Sequence, residues 1–192
     1  SIAADSVRSL AYGALEDMLS EITTYANLGD ENNPAPGKVR LLEAANSLAL
    51  IMDRANENMS FDCQQNCSTN RNALELELEA MNLISALTAA GVEGAYVMHW
   101  QSCLVEYLRF RIEASLVAVK GWCGQFNPLY LKAQETFREG EALLTEKDDV
   151  VGALNFYSDD AQLCLMLDVY NKCLVRVDPD SEFYEYPDVC LE

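Results

Sequence analysis

The chain has 192 residues, half of them apolar and 23% charged, a composition that excludes a disordered or membrane-embedded protein and is enough for one hydrophobic core. Thirteen basic against thirty-one acidic residues leave a net charge of −18, which repels nucleic-acid phosphates and gives an anionic membrane surface nothing to hold. No apolar run reaches the length of a membrane span, and the opening Ser1-Ile2-Ala3-Ala4 lacks the basic, apolar and small-residue succession of a signal peptide, as a mature or trimmed chain would.

Apolar residues recur at three- and four-residue spacing almost throughout, so six helices are expected. The first runs from about 5 to 28 through Val7, Leu10, Ala14, Met18, Ile22 and Tyr25, and stops at Gly29. A turn-rich stretch, 30–37, leads to the second, about 37–59, with a core face of Leu41, Ala45, Leu48, Ile51, Met52 and Ala55. A polar loop with Cys63 and Cys67 follows, and then a third helix at about 72–90. Its alternating Leu74-Glu75-Leu76-Glu77-Leu78-Glu79 is read as helical because Met81, Ile84 and Leu87 continue the helical spacing.

The fourth helix, about 93–120, carries two apolar faces, Tyr96/Trp100/Cys103/Tyr107/Phe110 and Val97/Leu104/Leu108/Ile112/Leu116/Val119. Only Ser102, Glu106, Arg109 and Glu113 remain as a polar stripe, so this helix is expected to be buried on most sides. Asn127 caps a fifth helix with Pro128 in its first turn, reaching about Glu146. Asp148 or Asp149 caps a sixth, continuous to about Val175. The expected fold class is all-α: about six antiparallel helices in a bundle or stacked helical hairpins, with some disulfides and an irregular acidic C-terminal tail. Residues 1–175 form one domain and 176–192 the tail.

Seven cysteines, an odd number, imply at least one free thiol or an intermolecular bond wherever the compartment oxidises them. With helices alternating up and down, Cys63, Cys67, Cys123, Cys173 and Cys190 gather at one end as candidate disulfide partners. Cys103 and Cys164 fall mid-helix as buried thiols or as a pair bonded to each other. Spacings Cys63-x3-Cys67 and Cys164-x8-Cys173 resemble those of the insect odorant-binding proteins, secreted helical carriers of apolar ligands. That pattern also needs a cysteine before Cys63 and one closely before Cys164, which this chain lacks, so membership is not assigned. Ala133, Gly140, Leu143, Ala153, Tyr157 and Ala161 are similar to one tetratricopeptide unit, with a one-residue slip in the turn and no repeat elsewhere.

Catalytic signatures are missing: no glycine-rich phosphate loop, no Gly-x-Ser-x-Gly elbow, no His-Glu-x-x-His. The single histidine, His99, stands four residues before Cys103, the spacing of a thiol–imidazole dyad, but acidic neighbours oppose a thiolate there. Acid pairs such as Glu139/Glu141, Asp148/Asp149 and Asp159/Asp160 suit solvated helix faces and N-caps, since no calcium-loop pattern accompanies them. No cofactor, metal or catalytic residue is therefore expected. The expected function is a non-enzymatic, extracytoplasmic binding protein that uses its helical surface or its acidic tail, where Phe183, Tyr184 and Tyr186 are the candidate partner-binding rings. The rival expectations are an intracellular helical-hairpin scaffold and a carrier of a small apolar ligand or pigment.

Overall fold

The computed structural model describes residues 2–35, 37–56, 94–124, 126–177, 179–180, 186 and 188–191. The expected third helix, Cys63, Cys67, Phe183 and Tyr184 lie outside the described residues. Within them the fold is all-α: α1 (Ile2–Ala26), α2 (Lys38–Asn56), α3 (Gly94–Lys120), α4 (Pro128–Thr145), α5 (Val150–Tyr157), α6 (Asp160–Val177) and a short 3-10 turn, Asp188–Cys190.

The helical bundle is organised around α3, whose 27 residues give it a length of about 40 Å. It packs against α1, α4, α5 and α6, which is why its sequence is apolar on two faces. Trp100, Leu104, Val105, Tyr107, Leu108, Ile112, Leu116 and Val119 are all buried, while Glu106 remains exposed. Burial extends further round this helix than apolarity alone suggests, since Arg111 and Ser115 also lie in the interior. The two side chains bond to each other, and the Ser115 hydroxyl also donates to the Arg111 carbonyl at 2.9 Å.

Helix α1 runs antiparallel to α3. Its N-terminal Val7 packs with Ala114 and Ala118, and its C-terminal Tyr25 meets Tyr96 and Trp100 at the opposite end. One apolar stripe on α1, Ala11, Leu15, Met18 and Ile22, is fully buried. The helix ends where the chain folds back on itself: Asp30 Oδ1 accepts from the amides of Asn32 and Asn33, and a Cβ on Gly29 would lie 2.4 Å from the Asn33 carbonyl oxygen. Only glycine fits there. Helix α2 then packs on α1 through Leu41, Ala45, Leu48 and Met52.

The start of α4 follows local chemistry. Asn127 Oδ1 accepts from the Leu129 and Tyr130 amides at 3.0 and 3.2 Å, and Pro128 occupies the first turn, where its missing N–H costs nothing. At Gly140, α4 and α5 come into direct contact. The Tyr157 ring lies over the Gly140 backbone and donates its hydroxyl to the Phe137 carbonyl at 3.0 Å.

The expected continuous sixth helix is two helices, α5 and α6. Asp149 caps the first by accepting from the Gly152 amide at 2.9 Å. The break comes after Tyr157: Ser158 Oγ donates to the Leu154 carbonyl, and Asp159 Oδ1 accepts from the Ala161 amide at 2.8 Å. Ser158 and Asp159 are cap-forming residues, and here they stop one helix and start the next instead of lying on a solvated face. The turn leaves Tyr157 against α4 while sending α6 across both α3 and α4.

Two disulfides brace the α6 side of the bundle. Cys123, just past α3, bonds Cys173 across a separation of 50 residues, and both cysteines are buried. Cys190 bonds Cys164 in the first turns of α6. Cys164 is thus neither a buried thiol nor a partner of Cys103, and Cys190 is not gathered with Cys173. Cys164 and Cys173 are nine helical steps apart, about 13 Å, and Tyr186 and Cys190 meet α6 at Asp168 and Cys164, successively farther from Cys173.

Candidate functional site

Apart from the Cys123–Cys173 bond, two places among the described residues hold groups that the sequence singles out. At the C-terminal segment, Tyr186 is half-buried, not displayed as a free ring. Its hydroxyl donates to Asp168 Oδ1 at 2.7 Å, and burial raises its pKa. With Cys190 bonded to Cys164, both described anchor points of the segment are tied to α6. A half-buried ring and a covalent bond hold Tyr186 and Cys190 on α6.

The second place is the contact of α1 with the N-terminal half of α3. Helical spacing sets His99 and Cys103 one turn apart on α3, and antiparallel packing brings Glu21 of α1 to the same point. Glu21 Oε2 accepts from His99 Nε2 at 2.7 Å, and the Cys103 sulfur lies 4.0 Å from the same nitrogen. The ligand-type atoms of all three side chains lie within 4.8 Å of one another. Glu21 and His99 side chains are 47% and 57% exposed, so the trio opens to solvent. Cys103 is half-buried and carries a free thiol.

This geometry does not suit thiol catalysis. A general base must offer a lone pair to the thiol proton, yet the ring nitrogen nearest the sulfur is the one engaged by Glu21. Burial, with Glu21, Glu106 and Asp17 adding negative charge, pushes the Cys103 thiol up to about 11, away from the nucleophilic thiolate.

Beside the trio lies an open groove of about 490 Å³ lined by Glu21, Thr24, Tyr25, Leu28, Tyr96 and His99. Its floor is aromatic: Tyr25 and Tyr96 centroids are 4.8 Å apart, and Trp100 completes the cluster at 5.4 Å from Tyr25. Leu28 and nearby Met98 are left with 63% and 67% of their surface in water. Smaller clefts run along the α3–α4 seam, where the Arg109–Glu141 ion pair at 3.4 Å draws the two helices together.

Sequence spacing found the His99–Cys103 pair but not Glu21, since nothing in the pattern of α1 says which turn of α3 it will face. Tyr25, Tyr96 and Trp100 read as core positions; Tyr25 and Trp100 are buried, whereas Tyr96 is exposed in the groove. No known family model matches the chain, and no curated protein or solved structure matches it either.

Proposed function

We propose that this chain is a non-enzymatic binding protein that works outside the cytoplasm and meets a basic protein segment at the groove between α1 and α3. The observation that carries the reading is the groove itself: an aromatic floor beside one carboxylate, Glu21, on a body of net charge −18. A basic segment is drawn by the long-range field and held by burying an apolar side chain against Tyr25 and Tyr96, so that steering and anchoring have separate sources. The tail is the weaker choice of surface, because Tyr186 and Cys190 are engaged with α6. Two disulfides support an oxidising compartment, where such bonds persist. Among the described residues no helix is long and apolar enough to cross a membrane.

The test is binding of a fluorescent lysine-rich peptide containing tryptophan, with the tryptophan-free version as control, over a range of salt concentrations. The reading expects tighter binding of the tryptophan peptide, weakening with salt, and at least a fivefold loss in Tyr96→Ala, about 1 kcal/mol. Equal binding of both peptides, or no effect of Tyr96→Ala, refutes it. A carrier of a small apolar ligand is the second reading, favoured by the volume of the same groove. Native mass spectrometry of protein from its source, showing a retained small-molecule mass, would select it.

A further inference from the structure

Three different ligand-type groups, from Glu21, His99 and Cys103, converge at one solvent-open point. Glutamate oxygen, imidazole nitrogen and cysteine sulfur together match a borderline-soft divalent cation of the zinc class and disfavour calcium or magnesium, which prefer all-oxygen shells. We propose that Glu21, His99 and Cys103 form a three-ligand zinc-class site, with the fourth position open to water or to an incoming donor group.

Three features carry this. The donors come from two helices whose relative position is fixed by the buried stripe of α1 against α3, so the site is built by the fold and not by a flexible loop. Zinc bonds of about 2.0–2.3 Å place tetrahedral ligand atoms roughly 3.3–3.8 Å apart. Reaching that spacing requires the 2.7 Å Glu21–His99 contact to open slightly, the 4.0 Å His99–Cys103 contact to close slightly, and Glu21 and Cys103, whose ligand atoms lie within 4.8 Å, to close by up to about 1 Å. These movements are within reach of side-chain rotation at half-exposed Glu21 and His99. Asp17, one turn before Glu21, and Glu106, next along α3, add negative charge close enough to act on Cys103, and so favour a cation.

Binding is a proton exchange. The cation takes the sulfur lone pair as the thiol proton leaves to solvent, and it takes the Nε2 lone pair as the imidazole proton moves to Nδ1 or to solvent. Glu21 transfers its oxygen from the Nε2 proton to the metal. Charge at the centre then balances: one dication against one carboxylate and one thiolate. No oxidant or reductant is involved, since zinc has a single accessible oxidation state. The site shares Glu21 and His99 with the groove of the peptide reading but needs neither the aromatic floor nor a partner, so zinc uptake and peptide binding can fail separately.

The experiment uses the full oxidised chain. Zinc(II) chloride is added in equilibrium dialysis against a weak chelator, and cobalt(II) chloride serves as an optical probe. The expected result is one zinc per chain, a thiolate-to-cobalt charge-transfer band, protection of Cys103 from alkylation by zinc, and a rise in melting temperature that EDTA reverses. Cys103→Ser removes the band, and His99→Gln and Glu21→Gln each weaken zinc by more than about tenfold, since loss of even a supporting group typically costs that much. His99 is exposed, so His99→Gln keeps the fold and decides the matter if Cys103→Ser melts early. Uptake that persists unchanged in His99→Gln, a cobalt band that survives Cys103→Ser, or no stoichiometric uptake from micromolar zinc each overturns the site.

Discussion

Replacing Gly140 with alanine sets two opposed effects against each other, and the structure says which wins. In a helix interior Gly→Ala gains about 1 kcal/mol from backbone entropy and propensity. At Gly140, however, the added methyl would sit 2.4 Å from Tyr157 Cζ and 2.7 Å from its hydroxyl oxygen. The ring cannot simply swing aside: it is 2% exposed, its hydroxyl donates to the Phe137 carbonyl, and it packs at 6.0 Å from Phe137 and 5.7 Å from Phe156. Overpacking a filled interface costs about 1–3 kcal/mol, and displacing the hydroxyl forfeits about 1 kcal/mol more. The net expectation is a loss of about 1–3 kcal/mol, or a fall in melting temperature of roughly 3–10 °C for a chain this long. Gly13→Ala is the matched control, since a Cβ there meets nothing within 4 Å; it should raise stability by about 0.5–1 kcal/mol. Urea denaturation followed by circular dichroism measures both. A double-mutant cycle with Tyr157→Ala should show Gly140→Ala turning neutral or favourable once the ring is gone. If Gly140→Ala stabilises in the presence of Tyr157, the close contact between α4 and α5 is not a constraint and the reasoning fails.

The remaining expectations concern bonds and protons. Replacing Cys123 and Cys173 together by alanine releases a 50-residue loop and should cost up to about 4 kcal/mol on a chain-entropy estimate, read as a shift in urea midpoint; a loss under 1 kcal/mol would contradict it. Under graded reductant, the half-buried Cys164–Cys190 bond should open before the buried Cys123–Cys173 bond, checked by alkylation and peptide mapping. Asn127→Ala should cost about 1 kcal/mol by leaving the Leu129 and Tyr130 amides uncapped. The Cys103 thiol, lifted from 9.0 to about 11 by burial and its acidic neighbours, contributes stability that is fully present below pH 9 and is lost as pH rises through about 11. Accordingly, native Cys103 should react slowly with iodoacetamide at pH 8 and accelerate above pH 10, whereas Cys103→Ser should unfold less steeply over that range; rapid reaction at neutral pH would show an unperturbed thiol.

Local chemistry was legible wherever neighbours in sequence carry out the whole interaction. Asn127 and Pro128 specify the start of α4 by themselves, and the two apolar faces of α3 specify a helix enclosed by others, because capping and periodicity act within a few residues. The His99–Cys103 pair belongs to the same class, being one turn of one helix. Tertiary packing decided everything that joins separate helices. Ser158 and Asp159 are compatible with a solvated helix face or with a cap, and only the need to seat Tyr157 on Gly140 while α6 crosses α3 and α4 selects the break. Cys190 carries no mark of its partner in its flanking residues; the return of the chain along α6, fixed in part by Tyr186 on Asp168, brings it to Cys164 instead of to the end where Cys123 and Cys173 meet. Glu21 is one acidic residue among thirty-one, and it faces His99 and Cys103 because the α1 stripe can bury itself on α3 in only one register, a choice made by side chains sixty or more positions away.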